Sequence, residues 1–164
     1  ISNINLNTNP NPNIIKKMPF FLFNKTKKLM SANNDTPKFT LKDKVKKCKV
    51  VDVYDGDTCK VVFIFNKKPQ KFTIRLLGYN SPEMRPSKTA YNRDAIITSA
   101  VISRDFLKNK IMNIGTMVYI KCGDFDNFGR ILGTIYFENP KKKIDIISIN
   151  DIMIKKGYGI EYNP

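Results

Sequence analysis

The sequence contains no histidine. That excludes a histidine general base, a Ser-His-Asp triad and every zinc site built on an imidazole. Cysteine is nearly as scarce: Cys48, Cys59 and Cys122 are odd in number and include no Cys-x-x-Cys pair. They read as buried apolar positions in a reducing compartment, neither a disulfide framework nor a metal cluster. No apolar run approaches the ~20 residues of a membrane-spanning helix. The run Pro19-Phe20-Phe21-Leu22-Phe23 is too short, and without a small-residue cleavage site after a long apolar stretch a signal peptide is not expected. Together these absences point to a reducing intracellular setting, the cytoplasm or a virus particle. Internal repeats are also lacking.

Acid is the other shortage. Against 29 Lys+Arg stand 14 Asp+Glu, a net charge of +15. Such a surplus calls for a polyanionic partner, either nucleic acid or an anionic membrane surface. Residues 1–45 read as a basic, extended N-terminal tail: through Lys46 there are nine Lys and two Asp, which is +7 of the +15. Basic residues around the aromatic cluster at 20–23 could dock on an anionic membrane, or pin the chain to nucleic acid or a larger assembly. Residues 46–164 read as one folded domain, and 41% apolar residues suffice for its core.

Within that domain strand patterns alternate with turn signals. The run 48–54 stops at Asp55-Gly56. Residues 58–65 follow, too densely apolar for a strand with one exposed face. Asn66-Lys67-Lys68-Pro69 predicts a turn, and 72–79 a third strand ended by Ser81-Pro82. A helix is expected over 87–108, with Tyr91, Ala95, Ile102 and Phe106 on one stripe and Ile96, Ala100 and Leu107 on a second. Two strands, 116–122 and 130–137, precede a short helix over 149–156 with Ser148 as N-cap and Gly157 as terminator. Three strands, a helix, two strands and a helix predict a mainly β, α+β fold: a five-stranded OB-fold barrel with two helices.

Three clusters carry candidate chemistry. Asp55-Gly56-Asp57-Thr58 holds a second acid that a hairpin turn does not require, and a hard cation such as Ca²⁺ takes oxygen ligands of this kind. Arg75 interrupts an apolar strand and needs an anionic partner, a carboxylate or a phosphate. Asn80, Ser81 and Glu83 follow where that strand breaks, and Glu83 is a candidate general base. Asp124-Phe125-Asp126-Asn127-Phe128-Gly129-Arg130 offers a second guanidinium to clamp phosphate oxygens. Two arginines, a metal-binding aspartate and a carboxylate base are sufficient for phosphodiester hydrolysis.

In this order and spacing the clusters resemble the staphylococcal nuclease (thermonuclease-like) family. Asp55-Gly-Asp-Thr, Arg75-Leu-Leu-x-x-x-Ser-Pro-Glu83, Asp126-x-Phe-Gly-Arg130 and Asn150-x-x-Met-Ile-x-x-Gly157 look like its blocks, over about Lys46 to Tyr162. The resemblance implies a calcium-dependent nuclease that hydrolyses DNA and RNA with low sequence specificity and leaves 3′-phosphates. It implies catalytic roles for Arg75, Glu83 and Arg130. It also implies metal binding by Asp57, Asn80 and the main-chain carbonyl of Ser81, with Asp55 one layer behind. At Asn80 the family pattern has an aspartate. Asparagine keeps an oxygen but removes a negative charge beside the ion, which predicts weakened calcium binding. The alternatives are a nuclease-fold module that grips nucleic acid without cutting it, and a structural component of a larger viral or membrane-associated assembly anchored by the tail.

Overall fold

Runs rich in valine, isoleucine and phenylalanine between turn residues favour strands. In a computed structural model describing residues 20–112, 116–142 and 145–162, these runs close on one another. The chain divides into two units, residues 1–39 and 40–164. In the first, α1 spans Phe20–Met30, with Lys27 and Lys28 in its last turn, where cations complement the negative end of the helix dipole. A helix thus stands where composition predicted extended chain. The segment Asn24–Met30 has no glycine or proline and ends in the strong helix formers Lys-Lys-Leu-Met. The part of the tail before Phe20 lies outside the described residues.

The second unit contains β1 (Val45–Val53), β2 (Thr58–Phe65), β3 (Lys68–Leu76), β4 (Tyr79–Asn80), α2 (Arg93–Ile111), β5 (Val118–Phe125), β6 (Ile131–Tyr136), α3 (Ile149–Lys155) and β7 (Ile160–Glu161). Five strands form a closed barrel in the order β1-β2-β3-β6-β5, and β4 pairs separately with β7. All barrel pairings are antiparallel except β3 with β6. This is the mainly β, OB-type barrel with two helices that the sequence predicts; the third described helix, α1, belongs to the first unit.

Alternation along the strands fills the barrel. Cys48, Val50, Cys59, Val61, Ile74, Leu76, Val118, Ile120, Cys122, Ile131 and Ile135 all point inward and are buried. The three cysteines are free, and burial pushes the Cys48 thiol up to about 12. The β2–β3 connection is a two-residue turn, with Asn66 and Lys67 both at positive φ, as tight hairpins with matching twist require. Strand β3 therefore starts at Lys68, four residues earlier than expected. Proline is tolerated there because β3 pairs with β6 only over Ile74–Leu76, leaving its first residues with no second strand beside them among the described residues. Ile64, read as buried, is 60% exposed on the outer face of β2.

Helix α2 begins at Arg93, not near Ser87. The Ser87 hydroxyl bonds Thr89 locally, and Asn92 is left-handed at φ 55, so the backbone cannot enter a helix earlier. Its core face is Ala100, Ser103, Leu107 and Ile111, whereas Tyr91 and Ile102 of the first predicted stripe are exposed. Helix α3 has the expected cap: Ser148 accepts from the Asp151 amide while Asp151 accepts from the Ser148 amide, and Gly157 follows at φ 73. Within α3, buried Asn150 fastens three elements. Its Oδ1 accepts from the Ile135 amide at 3.1 Å, and its Nδ2 donates to Leu77 O at 2.8 Å and Gly133 O at 3.1 Å. Replacing Asn150 with alanine removes these partners from the Ile135 amide and Leu77 O, while Gly133 O keeps the Leu77 amide at 2.9 Å. The expected cost is roughly 2–4 kcal/mol of stability, measured as a lowered urea midpoint at unchanged m.

Candidate active-site cleft

The β1–β2 connection and the loop after β4 meet across a cleft of about 380 Å³ lined by Tyr54, Asp55, Asp57, Arg75, Asn80, Ser81, Pro82, Glu83 and Arg130. All six residues singled out from the sequence, Asp57, Arg75, Asn80, Ser81, Glu83 and Arg130, are thus brought to one place.

Arg75 lies on the outward-facing side of β3, opposite Thr58. Its Nη1 donates to Leu76 O at 2.9 Å and Tyr79 O at 3.1 Å, and pairs with Asp57 Oδ1 at 3.1 Å. Its Nη2 donates to Asn80 Oδ1. With side-chain exposures of only 17% and 10%, Arg75 and Asp57 form a largely desolvated pair that needs these added hydrogen bonds. Asp57 is engaged on both oxygens: Oδ1 also accepts from Thr58 Oγ1 at 3.0 Å, and Oδ2 accepts from the Ser81 amide at 2.7 Å. Behind it, Asp55 Oδ1 accepts from the Asp57 amide at 3.0 Å. Burial, with the neighbouring Asp57 carboxylate, pushes Asp55 up to about 6.

Gly56 explains why this turn is so short of side chain. Its φ is not left-handed; a methyl group there would stand 2.0 Å from Ser103 Oγ and 2.7 Å from Ser81 Cβ. The turn therefore rests on α2 and on the cleft loop together. Tyr79 Oη fixes it from the other side by donating to Gly56 O at 2.7 Å. Neither Ser103 nor Tyr79 was legible as a site residue, because both act on backbone across long sequence separations.

Across the cleft, Arg130 is held by Asp126. The Asp126 Oδ2 accepts from Arg130 Nε at 2.6 Å, while Oδ1 accepts from the Phe128 and Arg130 amides at 2.9 and 2.8 Å. Arg130 Nη1 reaches Thr58 Oγ1 at 3.5 Å, and the guanidinium lies 5.4 Å from the exposed Phe128 ring. Asp126 had a sequence signal: an acid three residues before a glycine in a hairpin loop is placed to bond the loop's own amides. Glu83 is exposed at the cleft rim with no hydrogen bond or ion pair among the described residues.

The donors fit a hard divalent cation in kind. Among the described residues Asp57 Oδ2 accepts one hydrogen bond, Asn80 offers an amide oxygen, and Asp55 and Glu83 also line the cleft. They fit it thinly in charge. Among the described residues no three acidic or thiol groups converge on one point, and the Asn80 oxygen is shared with Arg75.

A small basic barrel with guanidinium groups and oxygen donors lining one open cleft has the chemistry to receive a phosphate ester. The chain belongs to the staphylococcal nuclease homologue family, whose profile matches residues 73–163, more than half its length. A comparison with curated proteins found no match. Membership gives the domain a nuclease-type or nucleic-acid-binding function. No described helix is long and apolar enough to cross a membrane.

The Asp126 grip sets a pH dependence. Burial works to raise this carboxyl, but the Arg130 and Phe128 amides and the Arg130 guanidinium outweigh it and hold it below its usual value of 3.8. A depressed folded value stabilises the fold above the ordinary range, and that contribution disappears as pH falls through the folded value. Thermal melts from pH 7 to pH 3 should therefore show Asp126→Asn less stable than the parent at neutral pH. The gap should close below pH 4.

Proposed function

We propose that the chain is a calcium-dependent phosphodiesterase that hydrolyses DNA and RNA with low sequence specificity, favours single strands and leaves 3′-phosphates. The observation that carries this reading is the convergence of Glu83, Arg75 and Arg130 with Asp57, Asn80 and Ser81 on one cleft. Glu83, exposed and unpaired among the described residues, takes a proton from water. That water oxygen bonds to phosphorus, the bond to the 5′ oxygen breaks, that oxygen takes a proton from solvent to leave as a 5′-hydroxyl, and the phosphate stays on the 3′ side. Arg75 and Arg130 hold non-bridging oxygens and meet the charge that grows on them. Asp57, Asn80 and the Ser81 carbonyl would hold Ca²⁺, which when bound supplies Lewis-acid stabilisation of the phosphate. Three free, buried thiols support a reducing intracellular setting for this activity.

One observation favours a second reading, a module that grips nucleic acid without cutting it. Without ligand, Arg75 already engages Asp57, Asn80 and two carbonyls, so its phosphate contact competes with the fold.

Digestion of single-stranded DNA with Ca²⁺ and with chelator separates the readings. Cleavage that needs Ca²⁺ and falls at least 100-fold in Glu83→Gln supports the enzyme; salt-sensitive binding with no cleavage supports the module. A calcium titration of Asn80→Asp should show tighter binding than the natural chain, because a second carboxylate joins the donors. Equal affinity would remove Asn80 from the metal site.

A further inference from the structure

The cleft stands at the head of a basic face that no catalytic role accounts for. Thr58, Lys60, Val62 and Ile64 alternate with the buried Cys59, Val61 and Phe63, so they share the outer side of β2. Register places their neighbours. Thr58 lies opposite Arg75, Lys60 between Asp52 and Thr73, Val62 between Lys49 and Lys71, and Ile64 opposite Pro69. Lys47, two residues before Lys49, shares its side of β1. An outward strip therefore runs down β2, apolar at Val62 and Ile64, with lysines along both margins.

This strip is short of compensating charge. Asp52 is the sole acid in β1, β2 and β3, and it pairs with Lys60 at 2.8 Å. Lys47, Lys49 and Lys71 are exposed and take part in no ion pair among the described residues. Exposed Ile64, at 60%, adds an apolar surface between them.

We propose that this outer face of β1–β2–β3 is an extended binding track for single-stranded nucleic acid, continuing from the cleft past Lys60 to Lys49, Lys71 and Lys47. It rests on the reading of the cleft as a phosphodiester site. Three features select this occupant. The face begins at Arg75, so a strand held there is delivered directly onto the track. Successive outward residues along a strand are about 7 Å apart, a step similar to that between phosphates of an extended single strand. Finally, charge at the margins suits a phosphate backbone that runs along the lysines, with the apolar faces of sugars and bases packed against Val62 and Ile64. Loss of three phosphate contacts lowers the salt slope of single-strand binding by about 2.

The test compares the full chain with Lys47→Gln/Lys49→Gln/Lys71→Gln, in chelator to prevent cleavage. Binding of a 16-nucleotide single strand and of a dinucleotide is measured by fluorescence anisotropy over a salt series. The track requires at least a tenfold loss for the 16-mer, a slope smaller by about 2, unchanged dinucleotide affinity and an unchanged melting temperature. Equal 16-mer affinity in the two proteins overturns the track and leaves the cleft reading standing. An equal loss for the dinucleotide overturns it by assigning the lysines to the cleft. Failure of the parent protein to bind either ligand, in chelator and with Ca²⁺ alike, removes the cleft reading and the track with it. Vesicles of phosphatidylserine provide a third arm: binding lost in the variant while 16-mer affinity holds would give the face to a membrane and overturn the proposal.

Discussion

Arg75 must find acceptors for a charge that is largely withdrawn from water, and it finds them on the β1–β2 turn, its own strand and β4. Asp57 answers from the start of β2, Leu76 O from its own strand, and Tyr79 O and Asn80 from β4. The turn between β3 and β4 is therefore wrapped around one guanidinium. The backbone repeats the connection, since the Leu76 amide donates to Asp57 O at 2.7 Å. Without the guanidinium, the Asp57 carboxylate would remain buried and under-compensated, a costlier state than having no pair at all. What looks like a ligand-binding residue is thus also the peg on which the site is assembled.

The same economy appears on the opposite wall. Asp126 spends one oxygen on ordering its hairpin loop and the other on aiming Arg130, so loop shape and guanidinium direction are set by one carboxylate. The Asp55–Thr58 turn is wedged between Ser103 of α2 and Ser81 of the cleft loop. Ser103 in turn donates to Tyr158 O at 2.7 Å. Loops normally hold functional groups less firmly than strands do. Here the β1–β2 turn is tied by Tyr79 Oη and the Ser81 amide, and the β5–β6 loop by Asp126 to its own amides, which holds their side chains to one geometry.

Much of this was legible in the chain. The five-stranded barrel followed from apolar alternation and turn residues, and the cleft residues stood in short blocks whose acids and arginines had no other obvious use. Less legible were features set by distant packing. Burial on α2 depends on which stripe meets the barrel, and the stripe through Ala100 and Leu107 won over the more aromatic one. Apolar density in β2 suggested two buried faces, yet Ile64 lies on a hairpin end flanked only by β3. Gly56 looked like a turn former and proved to be a packing glycine. Local sequence reports backbone preference well; close approach between distant segments leaves no comparable trace.

That hairpin end carries another consequence. Among the described residues, the start of β3 forms an open edge, with backbone groups that another strand could pair with. Lys68, Pro69 and Lys71 occupy it. Proline interrupts the ladder, and the lysines make a like-charged copy of the chain a poor neighbour. A second molecule of this protein is therefore disfavoured at the very edge where its strands could most easily join, beside the exposed Ile64.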